Sequence, residues 1–339
     1  MNLFELTRAL VDIESTTNHE QRVADFLFTH LSTLAAHYGG RVERMPVEPN
    51  RDNILAVFEP AVVTFSTHMD TVPPFFPSRE DSDFIYGRGS CDAKGIIAAM
   101  IAAVEKLLSA GQRNVGLLFV VGEERDSAGA KVAAKSPCGS QFLINGEPTE
   151  NQLALGSKGG LRFEITARGK LAHSAYPELG RSAIHELLDV LADLRRIPLP
   201  HDELLGPATL NIGTISGGHA PNVVADHAQA EIMFRTVGEP KELRRAVLAA
   251  TADRAEAREV LHTPAMRLSA PDGFPTTVVA FATDIPIFNG AWGQPFLIGP
   301  GSIHVAHTAE ERVSRKQLLE AVEIYARLAA QLLAKGAAA

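Results

Sequence analysis

Four apolar runs in this chain stop at residues able to bind a divalent metal. Residues 61–67 run into His68-Met69-Asp70, and 115–122 into Glu123-Glu124. Residues 141–146 run into Glu147, and 295–303 into His304 and His307. Asp92 stands at the head of a long apolar stretch. Imidazole and carboxylate ligands without thiolate suit zinc, cobalt or manganese in a hydrolytic site. Two metals about 3.5–4 Å apart need a bridging carboxylate and further ligands on each side. Among His68, Asp70, Asp92, Glu123, Glu124, Glu147 and His307, five can meet that need. The other two suit supporting roles. Asp70, two residues after His68, is placed to hydrogen-bond a ligating imidazole. In the adjacent Glu123-Glu124 pair the side chains diverge, so one can ligate while the other serves as general base. Each residue alone is weak evidence: a lone histidine after a strand is usually structural, a Glu-Glu pair is usually solvated, and Asp92 could simply cap a helix. Their joint placement at element ends is what points to a metal-dependent hydrolase.

The elements that must position them follow from hydrophobic periodicity. A continuous apolar run reads as a strand buried on both faces of a sheet covered by helices. In such sheets the functional crevice lies at the carboxyl ends of the strands. Residues 4–13, 21–36 and 92–110 have helical spacing, the last apolar almost all round at its start and so buried. Strands are predicted at 53–58, 61–67, 115–121 and 142–145, with a short helix at 128–135. This alternation is that of an α/β layer fold. The character changes near Ser157-Lys158-Gly159-Gly160. Strands at 161–167, 208–215, 229–236 and 259–262, with helices at 181–196 and 240–254, suit a small α+β sandwich with one open sheet face. After Ser269-Ala270-Pro271-Asp272-Gly273 the pattern gives a helix near Thr277, a strand at Phe296 and a long helix over 314–333. The predicted organisation is therefore a discontinuous catalytic domain, 1–158 and 272–339, carrying an inserted domain over 159–271.

The chain has 339 residues, 45% hydrophobic and 21% charged, long enough for two domains. Its formal net charge of -8 and lack of a basic run argue against a nucleic-acid partner. The start lacks signal-peptide features, and the longest apolar stretch, 95–104, is too short to span a bilayer. Two cysteines, Cys91 and Cys138, make no disulfide framework. The cytoplasm is the expected compartment. Cys91 is expected to be a buried thiol rather than a nucleophile.

With these residues in view, the segments resemble the family of dinuclear-zinc amidohydrolases that includes acetylornithine deacetylase, succinyl-diaminopimelate desuccinylase, aminoacylase and glutamate carboxypeptidase. The matching stretches are 66–73 around His68 and Asp70, 86–95 around Asp92, Gly122-Glu123-Glu124, 145–149 around Glu147, and 299–308 ending on His307. The resemblance implies a zinc exopeptidase-like α/β fold with a mixed, largely parallel sheet and an inserted lid and dimerisation domain. It implies two divalent ions, zinc with cobalt or manganese as substitutes. His68 and Glu147 would hold one, Glu124 and His307 the other, with Asp92 bridging and Asp70 orienting His68. Glu123 would move the proton from water to the leaving amine. A cis peptide is expected at Asp92-Ala93. His304 lies close enough in sequence to compete with His307, which the resemblance favours. In the insertion, 169–177 resembles a lid segment whose His173 stabilises the oxyanion in the partner subunit's site. The turn 217–224 places Asn222 against substrate, and Arg235 resembles a residue that grips a substrate carboxylate, for which a bidentate pair is the right physics. The implied activity is that of an acetylornithine deacetylase first, then a succinyl-diaminopimelate desuccinylase, then a dipeptidase or carboxypeptidase, on an N-acyl amino acid or dipeptide; a non-catalytic metal-binding scaffold is the alternative of another class, and the implied state is a homodimer.

Overall fold

The computed structural model describes residues 1–337 and divides into two units. The first comprises Met1–Leu155, Leu268–Thr277 and the chain from Thr283 onward; the second comprises Gly156–Arg267 with Val278–Ala282.

The first unit is built on a six-stranded sheet. Its strands are β1 (Arg41–Glu48), β2 (Arg51–Phe58), β3 (Val63–His68), β4 (Val115–Val120), β5 (Phe142–Asn145) and β6 (Gln294–Leu297), in the spatial order β1-β2-β4-β3-β5-β6. β4, β3, β5 and β6 run parallel, and the β1-β2 hairpin joins antiparallel through β2. The fold is thus α/β with a mixed, largely parallel sheet. Alternating side chains of each strand serve opposite faces. Ile54, Ala56, Phe58, Leu117, Phe119 and Ile144 face one core, while Leu55, Val57, Leu118, Val120 and Leu143 face another that contains Phe288 and Trp292. The first core is covered by α1 (Leu3–Val11), α2 (Gln21–Tyr38), α3 (Lys94–Ser109) and α4 (Arg315–Ala337). Full burial of a Leu, Ile or Phe side chain contributes about 1.5–3 kcal/mol, so both faces stabilise the sheet that carries the site.

Local signals set the helix ends. Asn2 caps α1 by accepting from Phe4 N and Glu5 N while the Glu5 carboxylate accepts from Asn2 N, a reciprocal box. α2 stops at Gly39, whose φ of 79° is left-handed. α3 is buried from Lys94 through Ile101, as its apolar composition requires. Asp92 does not cap it: the N-cap position is Ala93, without a side-chain cap.

The second unit has a four-stranded antiparallel sheet in the order 209–217, 227–236, 159–168, 255–263. Helices Ala183–Leu194 and Lys241–Thr251 cover one face. This is the expected α+β sandwich. The other face and the outer edge of Thr209–Gly217 are exposed along much of that strand.

Two expectations are corrected. The helix predicted near Thr277 is instead a strand, Thr276–Val279; its Thr-Thr-Val-Val run is β-branched and prefers the pleated conformation. The strand Arg41–Glu48 is absent from the sequence reading. Its polar, Pro46-containing run survives because it is a sheet edge, where one side of the strand needs no partner.

Candidate metal centre

The parallel strands end in register. His68 of β3 pairs with Val120 of β4, Ser66 with Asn145 of β5, and Leu297 of β6 with Asn145. The residues that follow each strand are therefore delivered to one edge of the sheet. Asp92 arrives there from the turn before α3. Its Oδ1 lies 2.9 Å from His68 Nε2, and its Oδ2 lies 3.3 Å from His307 Nε2. His307 Nε2 is also 2.9 Å from Glu124 Oε1. His68, Asp92 and Glu124 each offer a ligand atom, all within 4.8 Å of one another. Glu147, two residues beyond β5, is 5% exposed. His307, not His304, turns to this cluster; His304 is exposed. His307 holds a left-handed backbone with φ 62°, which costs a residue with a Cβ about 1–2 kcal/mol.

Asp70 does more than orient His68. The His68 Nδ1 lies 3.0 Å from the Asp70 backbone carbonyl and 3.5 Å from its carboxylate. The same carboxylate accepts from Thr17 Oγ1 at 2.7 Å, from Glu123 N at 3.1 Å and from Glu124 N at 3.3 Å. One buried side chain thus fixes a ring and the backbone of the acidic pair. Gly122 opens that turn with φ 79°, and a Cβ there would meet Arg51 Nη2 at 2.8 Å. Arg51 itself is buried and forked onto Glu20, at 2.9 and 2.7 Å. Arg51→Met should lower the unfolding free energy by about 3–5 kcal/mol, because Glu20 is left as an uncompensated buried charge. Denaturant unfolding reads this directly, and a loss below about 1 kcal/mol would put the pair in the class of surface ion pairs.

The electrostatics favour a cation. Burial pushes Glu123 and Glu147 well above the usual carboxylate range, and the negative charges around them, Glu147 beside Glu123 and Asp92 beside Glu147, push in the same direction. Glu124 is raised by burial and by Asp92, against the hydrogen bond from His307. Burial works against the charge on Asp92, yet its hydrogen bonds to His307 and His68 prevail and hold it below the ordinary value. Hydrogen bonds to Asp92 and Glu124 raise His307 to about 10. Carboxylates crowded in a buried site repel one another unless a cation neutralises them. Oxygen and imidazole donors of this kind fit zinc, cobalt or manganese.

The Asp92-Ala93 peptide is cis, as expected. Cys91 is fully buried and its thiol is pushed up by burial and by Asp92, which favours the protonated thiol. Two buried acids carry no signal in the sequence. Glu311 holds the turn that bears Asp92. Asp284 is 2% exposed, and burial pushes it up to about 6 against a hydrogen bond from Ser127.

Within the second unit, His173 and Asn222 come together and Arg235 does not join them. His173 pairs with Val223, and Ser174 N donates to Asn222 O at 3.0 Å. Both His173 and Asn222 are exposed. This pair lies beyond the end of the sheet at which His227 pairs with Arg168. Arg235 pairs with Gly160 at the other end, eight residues along the same strand (227 to 235), or about 25 Å at roughly 3.3 Å per residue.

Residues 64–331 match the family model for peptidase family M20/M25/M40. That span is most of the chain and contains His68, Asp70, Asp92, Glu123, Glu124, Glu147 and His307. The chain belongs to this peptidase family. An M20 peptidase domain-containing protein of Schizosaccharomyces pombe is 42% identical over 96% of this chain and 84% of its own length. A probable carboxypeptidase of Aspergillus terreus is 39% identical over 95% of this chain and 84% of its own. The fold is shared with an M20 family metallo-carboxypeptidase of Sulfolobus solfataricus, at a TM-score of 0.77 and 18% identity, covering 96% of this chain and 97% of that one. As an M20 family member the protein is a metal-binding hydrolase of peptide or amide bonds. No helix among the described residues is long and apolar enough to cross a membrane.

Proposed function

We propose that this protein hydrolyses the amide bond of an N-acyl amino acid or dipeptide whose leaving residue keeps a free α-carboxylate. Two divalent ions, zinc by preference and cobalt or manganese in its place, would be held by His68 and Glu147 on one side and by Glu124 and His307 on the other, with Asp92 shared. The observation that carries this reading is the placement of Asp92, with one carboxylate oxygen toward each of two histidines. A single-metal centre would need no such division. When bound, the ions polarise the scissile carbonyl and lower the pKa of water. The remaining work belongs to the chain. Glu123 accepts the proton of the attacking water and returns it to the departing nitrogen. Asp70 holds the Glu123-Glu124 backbone and, through His68, one metal-binding ring. Arg235 takes the substrate carboxylate.

His173 and Asn222 are proposed to act on the site of a partner chain in a homodimer. Support comes from the insertion: its sheet separates them from Arg235 by most of a strand length, so the three do not converge within one copy. Leu171, Tyr176, Leu179, Leu188 and Ile215 are at least half exposed there. The outer edge of Thr209–Gly217 is a natural template for pairing with a second copy. The insertion, 159–271, is thus read as lid and dimerisation domain, and the cytoplasm as the compartment.

Within this class, N-acetylornithine is the substrate the resemblance points to, and peptides cleaved at their carboxyl end, dipeptides among them, are the substrates suggested by relatives named probable carboxypeptidase. A panel of N-acetyl and N-succinyl amino acids and dipeptides, assayed for amine release with zinc, cobalt and manganese, decides between them. The expected result is turnover of one α-carboxylate substrate and a loss of about 10²-fold or more when that carboxylate is masked as its amide, the effect of removing the substrate's charged hydrogen-bonding group. Equal turnover of the masked compound would contradict the role of Arg235.

A further inference from the structure

Glu311 lies four residues after His307 and is 1% exposed. Its Oε1 accepts three backbone N–H groups, from Gly89 at 2.9 Å and from Cys91 and Asp92 at 3.2 Å each. Its Oε2 accepts from Arg88 Nη1 at 2.5 Å. The Glu311 carbonyl also accepts from Gly87 N at 3.2 Å. Immediately afterwards, strand Arg312–Ser314 pairs with Phe84–Tyr86. In the turn 87–92, which presents Asp92, one side chain thus ties the backbone at Gly89, Cys91 and Asp92, and that side chain belongs to the segment that presents His307. Arg88 is held in turn by the Pro74 carbonyl at 3.2 Å and by the ring of Phe76.

This arrangement is more than a neutralised buried pair. Arg88 alone would compensate the charge through one oxygen. The other oxygen is spent on peptide N–H groups, including that of Asp92 itself. Those bonds fix where the Asp92 Cα lies relative to the His307 segment.

We propose that Glu311 is a positioning residue, which sets Asp92 and His307 at a common metal-ligating distance and so determines whether the ion between Asp92, Glu124 and His307 is held. The proposal rests on the two-ion reading given above. Glu311 would not touch substrate or metal; it acts through the turn.

The test is a titration of metal-free protein with Co(II), followed by visible absorption and calorimetry, for wild type, Glu311→Gln and Glu311→Asp. Glutamine removes the charge and turns an N–H₂ toward Arg88 or toward the turn. Aspartate keeps the charge but is one methylene short of the three N–H groups. Wild type should bind two equivalents. Asp92 serves both ions and His307 only one, so both variants should weaken the first equivalent less than the second, and the second should bind about 10–100-fold more weakly than in wild type, the usual cost of losing an outer support of a metal ligand. Their Co(II) spectra should lose the contribution of the second ion. If Glu311→Gln does not fold, Glu311→Asp decides alone. A folded variant that binds both equivalents like wild type overturns the proposal, as does a variant that loses thermal stability with unchanged Co(II) affinity. Wild type binding fewer than two equivalents overturns the two-ion reading first, and this one with it.

Discussion

Glu123→Gln should lower kcat by about 10³–10⁴-fold and leave the metal content of the protein unchanged. General acid-base catalysis contributes about 10²–10⁴-fold, and the upper end applies because one group serves twice, taking a proton from water and giving it to the leaving nitrogen. Glutamine keeps the size and the hydrogen-bonding shape of the side chain. The Glu123 backbone remains held by Asp70, so the turn should not move. The neighbouring Glu124→Gln should behave differently, because Glu124 Oε1 faces His307 in the cluster of ligand atoms: it should lose bound metal as well as activity. Turnover of Glu123→Gln within a few-fold of wild type would remove Glu123 from the mechanism. Metal loss equal to that of Glu124→Gln would make Glu123 a ligand instead of a base.

His173→Ala should lower kcat by about 10²–10³-fold, the effect of removing one donor to a developing oxyanion, and the loss should be curable in trans. Inactive His173→Ala chains mixed with inactive Glu123→Gln chains form heterodimers in which one of two sites has both an intact Glu123 and an intact partner histidine. That site should work at close to the wild-type rate. The single chain offers a reason to expect this: in the insertion His173 sits beside Asn222 at one end of the sheet, and Arg235 lies at the other. The mixture should therefore recover about a quarter of wild-type activity: random exchange makes half of the dimers mixed, and each has one working site of two. No recovery after verified subunit exchange would mean that His173 acts within its own chain or not at all.

How much of this was legible in the sequence depends on where the information sits. His68, Glu124, Glu147 and His307 were legible because a both-face-buried strand must be apolar throughout, so a histidine or carboxylate at its end stands out. Asp92 was legible for a different reason, as a carboxylate at the head of an apolar helix, although its alternative as a helix cap needed the structure to dismiss it. The choice between His304 and His307 was not legible from periodicity, since both follow one loop; both are exposed, and it is the position of His307 Nε2, 2.9 Å from Glu124 and 3.3 Å from Asp92, that favours His307. Asp70 was read as a partner of His68, but its grip on Glu123 N and Glu124 N crosses 53 and 54 residues and leaves no local pattern. Glu311 is the extreme case. It stands in an unremarkable Glu310-Glu311 pair, and its partners lie 219 to 223 residues earlier. The helix expected near Thr277 failed because the segment is a short strand, whose Thr-Thr-Val-Val run is β-branched and prefers the pleated conformation. The edge strand Arg41–Glu48 was missed because Pro46 and the charges around it argue against a strand that is paired on both sides, which this one is not.

The most direct test of the centre is anomalous diffraction from crystals grown with zinc. The expected result is two peaks per chain, one beside His68 and Glu147 and the other beside Glu124 and His307, with the Asp92 carboxylate between them. A single peak at saturating zinc, or peaks held only by His304 and surface carboxylates, would contradict the assignment of Asp92 as the shared ligand.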